Sequence, residues 1–173
     1  MKDILNSKEL NASKKQRTIE ELIVCGKENT DSIISVAEEL NDKHLAIVLS
    51  ALESISRSHP DMVGQKGLDF AAKHIDSANN SVKREASRIV GNLCGFYSSI
   101  PDSAIRKLLD NTNNESTVVR WSSAYALSRI ILTEKYISSD LVNRVENICE
   151  KEEDNGVKNQ YIKSLKKIAK KKI

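Results

Sequence analysis

Apolar residues return along this chain at helical spacing, and the same arrangement recurs after 37 or 38 residues. In the clearest unit, Val82, Ala86, Val90 and Leu93 fall on one face of a helix. The same pattern returns in residues 44–55, where it is weaker, and in residues 119–130 and 157–168. Helical segments that repeat at such a period indicate stacked helical hairpins, in which each unit buries its apolar face against its neighbours.

Polar residues separate the predicted helices in a regular way. An aspartate precedes the apolar stripe of each first helix, at Asp31, Asp61, Asp102 and Asp140. A carboxylate there can accept the unpaired amide hydrogens of the first turn and lies at the positive end of the helix dipole. Polar turn clusters precede the second helices. The sequence therefore predicts a single domain of residues 1–173, with an irregular N-terminal helical cap followed by hairpins at about 29–58, 61–97, 101–135 and 139–173.

Composition supports an all-α protein. Hydrophobic residues make up 39% of the chain and charged residues 29%, while 6 glycines and 2 prolines are few for a fold built from strands and turns. The sequence has no apolar run of the roughly 20 residues that cross a bilayer, and residues 1–6 do not resemble a secretory signal. We therefore expect a cytoplasmic protein. The odd number of scattered cysteines, Cys25, Cys94 and Cys149, predicts reduced and largely buried thiols.

The second helices share a more specific pattern. Each begins with a valine and a basic residue, followed by alanine or serine, then a large aliphatic residue and a small one. The pattern ends at Gly91-Asn92-Leu93 in one repeat and at Leu127-Ser128 in the next. This pattern resembles the HEAT-repeat family, especially its short bacterial and archaeal repeats, over about residues 29–173. The resemblance implies a right-handed α-solenoid of the HEAT and armadillo type, with the second helices lining its concave face. It implies little about activity, because such repeats serve as scaffolds, as adaptors and occasionally as enzyme platforms.

That orientation predicts which side chains of the second helices remain available after the core is built. In one helix Arg84, Arg88 and Asn92 point away from the core, and their equivalents in the next two repeats include the only tryptophan. Aromatic and arginine side chains often carry the binding energy of interfaces. An equally weighted alternative is that the cations are only solvated and that Trp121 packs between helices. The candidate binding residues are Arg84, Arg88, Trp121, Tyr125, Arg129, Lys163 and Lys167, with Asn92 and Asn159 beside them.

The end of the chain is basic, although the whole chain has a net charge of only +3. Residues 156–173 contain seven lysines and no acid, so the rest of the chain is net acidic. A solvated cap of the terminal repeat is the favoured interpretation, and a polyanion-binding element is the alternative. His44, His59 and His74 are isolated, and the glycines lack the spacing of a phosphate loop. The sequence therefore predicts no catalytic residue, no metal site and no cofactor.

These observations favour a non-enzymatic interaction scaffold that binds an acidic peptide or protein on its concave face. The alternative is nucleic-acid binding through the same face, because some DNA-alkylation-repair glycosylases are similarly built from HEAT-like repeats with basic, aromatic-lined concavities. The modest net charge argues against that alternative. The sequence leaves the identity of the partner and the oligomeric state open.

Overall fold

The computed structural model describes residues 1–97 and 100–171, with the side chain of Lys171 excepted, and every regular element in these residues is a helix. Lys172 and Ile173, which end the predicted fourth hairpin, lie outside the described residues. The helices are α1 Lys2–Asn6, α2 Ala12–Val24, α3 Thr30–Ala37, α4 Asp42–Ser58, α5 Pro60–His74, α6 Asn80–Leu93, α7 Asp102–Asn111, α8 Thr117–Ile130, α9 Asp140–Lys151 and α10 Asn155–Lys171.

The helices form two rows. The second helices α4, α6, α8 and α10 pack one on the next, and α2 continues this row at its N-terminal end. The first helices form an outer row that packs on the second helices. Neighbouring first helices contact each other less extensively than neighbouring second helices do. A stack that packs one row more closely than the other curves toward the closer row, so we take the second helices as the concave side. The fold is therefore an all-α solenoid of stacked helical hairpins.

One continuous hydrophobic core runs between the rows, from Leu5 in α1 to Ile168 in α10. The repeated positions of the second helices supply much of it. Val82, Ala86, Val90 and Leu93 are fully buried, as are their equivalents in α8. Burial of this recurring stripe is the main driving force for stacking, because no hairpin can cover its own apolar face alone.

Side-chain caps begin α2 and every second helix except α8, whose N-cap residue Ser116 makes no side-chain capping bond. Asn11, Asn41 and Asn79 accept hydrogen bonds from the backbone amides three residues further on, and Asp154 accepts one from the amide of Val157. The aspartates of the first helices do not make the capping hydrogen bonds that the sequence predicted. Asn29 caps α3, while Asp31, Asp61, Asp102 and Asp140 lie inside the first turn of their helices. At that position they still favour the helix through its dipole.

Helix α5 contains a kink that the sequence did not predict. Gly64 has φ 70° and ψ 176°, a conformation that other residues rarely adopt. The kink lies on the outer row, away from the concave side. No helix of the described residues is long and apolar enough to cross a membrane.

Candidate functional site

Helix α8 carries one stripe of side chains at the edge of the core, and Trp121 in this stripe still packs against the core. Val118 is 51% exposed, Trp121 and Tyr125 are half-buried, and Arg129 is exposed. The opposite face of the helix, which includes Val119, is buried in the solenoid. The predicted positions of α8 therefore lie on its less buried side, together with an apolar residue, Val118, that was not predicted.

The two aromatic rings of this stripe are stacked. The ring centroids of Trp121 and Tyr125 lie 5.6 Å apart at an interplanar angle of 15°. The guanidinium of Arg129 lies 5.3 Å from the centroid of the Tyr125 ring, within the range of a cation–π contact. The spacing of four residues between these side chains places them on one helix face. The result is a column of two aromatic rings ending in a cation.

Helix α6 holds this column in position. The hydroxyl of Tyr125 donates to Asn92 Oδ1 at 2.5 Å, and Arg129 Nε donates to the carbonyl oxygen of Gly91 at 2.8 Å. Gly91 also allows the close approach of the two helices. A Cβ at this position would lie 2.8 Å from the Cα of Ala126 and 3.2 Å from the Tyr125 ring. Two hydrogen bonds and a glycine contact thus fix the orientation of Tyr125 and Arg129.

Two buried acids lie under the arginines of α6. Glu53 is 3% exposed and Glu85 is 2% exposed. Arg88 contacts Glu53 at 2.8 Å and Glu85 at 3.4 Å, and Arg84 contacts Glu85 at 2.5 Å. The two candidate cations of α6 are therefore already paired within the protein. Of the five candidate cations, Arg84 and Arg88 therefore have less charge to offer a partner than Arg129, Lys163 and Lys167.

Neither buried acid was predicted from the sequence. A signal was present, since Glu85 lies three residues after Val82 and four before Ile89, on the buried side of α6. Burial disfavours the charged form of Glu53. Desolvation raises the pKa of its carboxyl above the ordinary value, although the neighbouring Arg88 and Arg57 lower it.

Asn92 is also placed differently from the expectation. It was expected to point away from the core, but it is 3% exposed. Its amide donates to Ser56 Oγ at 2.8 Å and to Glu53 Oε1 at 3.3 Å, while its oxygen accepts from Tyr125. A small polar residue at this position thus links α4, α6 and α8 instead of facing a partner.

Helix α10 contributes cations that are not paired with acids. Lys163, Lys166, Lys167 and Lys170 are exposed, and none of them makes an ion pair with another described residue. Asn159 is exposed on the same helix. The side chain of Lys171 and all of Lys172 lie outside the description. Of the five candidate cations, those without an ion-pair partner among the described residues are therefore Arg129 on α8 and Lys163 and Lys167 on α10.

The three cysteines differ in their exposure. Cys25 is exposed at the end of α2, so the expectation of a buried thiol is wrong there, whereas Cys94 and Cys149 are buried. Burial raises the pKa of Cys94 to about 11, which keeps this thiol protonated at neutral pH. Among the described residues, no group of three or more His, Cys, Asp or Glu side chains could hold a metal ion.

Neither a protein-family model nor a curated protein sequence matches the chain. Solved structures do match. An engineered protein has 14% identity and a TM-score of 0.74, over 97% of this chain and 79% of the other. A designed armadillo repeat protein in complex with the peptide (KR)4 has 12% identity and a TM-score of 0.66, over 96% and 85%.

A third match is the complex of CpcE and CpcF of phycocyanin lyase from Nostoc sp. PCC7120, with 13% identity and a TM-score of 0.62, over 88% of each chain. At these identities the comparisons bear on the fold alone. They agree with the two-row packing of the helices and with the repeat period of the sequence. The chain thus has the fold of a helical repeat protein, an α-solenoid of the armadillo and HEAT-like type.

Proposed function

We propose that this protein is a non-enzymatic interaction scaffold with HEAT-like repeats, and that its concave face binds an acidic peptide or an acidic segment of a partner protein. The observation that carries the proposal is the Trp121–Tyr125 stack, which ends in Arg129 on α8, the helix that packs against α10 with its unpaired lysines. The binding surface consists of Trp121, Tyr125, Arg129, Lys163 and Lys167. Arg84 and Arg88 border it, and their paired charges contribute less.

The stack suits binding because it is partly exposed and already ordered. Large aromatic side chains supply contact area at a low entropic cost when their orientation is fixed before binding. Tyr125 is fixed by its bond to Asn92 and by its contact with Gly91. Arg129 has its Nε bonded to the Gly91 carbonyl, and the rest of its guanidinium can pair with a carboxylate.

The sign of the available charge favours an acidic partner. One solenoid of similar fold holds the basic peptide (KR)4, but two acids on the second helices of this chain, Glu53 and Glu85, are buried and paired with arginines. The lysines of α10 have no such partners among the described residues. A peptide rich in Asp or Glu would therefore meet complementary charge across α8 and α10.

The proposal can be tested through the fluorescence of Trp121, because the chain has a single tryptophan. We expect end-blocked hexaglutamate to change this emission in a saturable way, with weaker binding at high salt. End-blocked hexalysine should have no such effect. Lys163→Glu and Arg129→Glu should each weaken hexaglutamate binding several-fold. Arg106→Glu, an exposed charge reversal on the outer helix α7, is the matched control.

Two results would overturn this proposal. One is the absence of hexaglutamate binding, and the other is equal weakening by Arg106→Glu and Arg129→Glu. The same assay covers the alternative partner. If an oligothymidine binds more tightly than hexaglutamate and responds to the same two variants, the face is a nucleic-acid site, since single strands also use aromatic stacking beside cations.

A further inference from the structure

An open cleft of about 780 Å³ lies where α6 and α8 end. Its walls come from the segments that follow these two helices. The apolar part consists of Phe96, Tyr97, Ile100, Leu132 and Tyr136. Phe96 is 63% exposed, so this aromatic side chain leaves most of its surface in contact with water. The cleft belongs to the hairpin ends and was not among the sites that the sequence predicted.

The walls of the cleft are held by hydrogen bonds within the protein. The hydroxyl of Tyr97 donates to the carbonyl oxygen of Pro60 at 3.2 Å. Beyond α8, the amides of Tyr136 and Ile137 both donate to the carbonyl oxygen of Thr133. Leu132 packs against the core from its partly buried position. An occupant would therefore meet a largely formed apolar surface, as small binding pockets generally offer.

Arg129 connects this cleft to the proposed binding surface. It caps the Trp121–Tyr125 stack on one side and lines the cleft on the other. The other charged residues of the lining are Lys135 and Glu134, so the lining carries two cations and one acid. The neutral Asn92 and Thr133 complete the polar part. A ligand with an apolar group next to a carboxylate matches this combination of apolar and net positive lining residues.

We propose that the cleft receives a bulky apolar side chain of the acidic partner, adjacent to a carboxylate that pairs with Arg129. This inference rests on the proposed function, because it specifies the partner of the same face. The occupant is one residue of a peptide whose acidic part crosses α8 and α10. Such a residue would cover Phe96 and Leu132, and it would add sequence selectivity to an otherwise electrostatic interaction.

The test compares end-blocked hexaglutamate with the same peptide carrying one phenylalanine at its first or at its last position. We expect one of the two phenylalanine peptides to bind roughly ten-fold more tightly than hexaglutamate, as one apolar group in a pocket typically contributes. Phe96→Ala and Leu132→Ser should each remove that advantage and leave the affinity for hexaglutamate unchanged. Met62→Ala, which shortens an exposed apolar side chain of α5, should leave the advantage intact.

The outcomes separate the two proposals. If hexaglutamate binds but phenylalanine adds nothing at either end, the cleft proposal is overturned and the proposed function stands. The same conclusion follows if the advantage of phenylalanine survives in both Phe96→Ala and Leu132→Ser. If none of the peptides binds, both proposals fall together.

Discussion

At Gly91 the backbones of α6 and α8 approach so closely that one methyl group decides whether they fit. The Cβ of an alanine would lie 2.8 Å from the Cα of Ala126, and backbone cannot yield as a flexible side chain can. We expect Gly91→Ala to destabilise the protein by about 1 to 3 kcal/mol through overpacking. This net loss is expected although alanine favours the helix by roughly 1 kcal/mol relative to glycine.

Chemical denaturation of Gly91→Ala and Gly95→Ala measures this effect against a matched control. Nothing lies within 4 Å of a Cβ built on Gly95, so its replacement should be neutral or slightly stabilising. A Gly91→Ala protein as stable as the wild type would mean that the helices can separate without loss. In that case the position of the Tyr125 ring would not depend on this contact.

Trp121 gives a second prediction at the scale of one residue. Because it is half-buried and stacked on one neighbour, Trp121→Ala should cost about 1 to 2 kcal/mol of unfolding free energy. A core aromatic such as Phe70, which is almost fully buried, should cost roughly 3 to 5 kcal/mol when replaced by alanine. Urea unfolding of both variants and iodide quenching of the wild type provide the comparison. A shielded indole with a large stability loss would assign Trp121 to the core.

The repeat period predicts which face of a helix a residue lies on better than it predicts what its side chain contacts. It placed Trp121, Tyr125 and Arg129 on one stripe because residues four apart share a helix face. It could not show that Arg88 meets Glu53, since that acid belongs to a neighbouring repeat and its burial depends on how the hairpins stack. For the same reason it placed Asn92 at the surface, whereas three helices enclose its side chain.

At the scale of the element, asparagine side chains cap the second helices α4 and α6 where their hairpins turn. Asn79 accepts from the amides of Ser81 and Val82, so Asn79→Ala should destabilise the protein by about 1 kcal/mol. Asn80→Ala removes the same amide group from the first residue of the helix and should have a smaller effect. Thermal unfolding of the two variants makes the comparison. Equal losses would show that the Asn79 cap contributes nothing specific.

Glu53 gives α4 a pH-dependent contribution to stability. Burial raises the pKa of this carboxyl, so its contribution is fully present below its unfolded pKa and is lost as pH rises through the folded pKa. We therefore expect the unfolding free energy of the wild type, relative to Glu53→Gln, to fall between acidic and neutral pH. Denaturation of both proteins across this range measures the difference. Glu21→Gln controls for the loss of one exposed carboxylate.

A rise of that difference with pH would contradict the expectation for Glu53. It would mean that the attraction of Arg88 and Arg57 outweighs the cost of removing the charge from water. The sequence could not have given either sign, because both terms depend on contacts between residues of different helices.

For the molecule as a whole, the period was the most informative feature of the sequence. Stacked hairpins follow from it because each apolar face must find a neighbour, and the solenoid fold is confirmed. The first-helix aspartates were less informative. Asp31 is the second residue of α3, and Asn29 makes the capping bond instead. The role of α2 was also unclear from its irregular pattern, although it continues the row of second helices.

Burial across the solenoid predicts unequal reactivity of the three thiols. A bulky thiol reagent should modify Cys25 rapidly in the native protein and leave Cys94 and Cys149 largely unmodified. Cys94 is doubly protected, because it is buried and its pKa is raised to about 11. Mass spectrometry after brief labelling, with and without denaturant, provides the measurement. Rapid modification of Cys94 would indicate that α6 opens readily from the stack.

The exposure of Cys25 at one end of the solenoid also has a spectroscopic use. The thiol ends α2, whereas the only tryptophan lies on α8, so the row of α4 and α6 separates them. An acceptor dye on Cys25 and the native indole would form an energy-transfer pair without any substitution. In a stack of repeats, small rotations between neighbours add up. The transfer efficiency would therefore report changes in the curvature of the whole solenoid when a ligand binds.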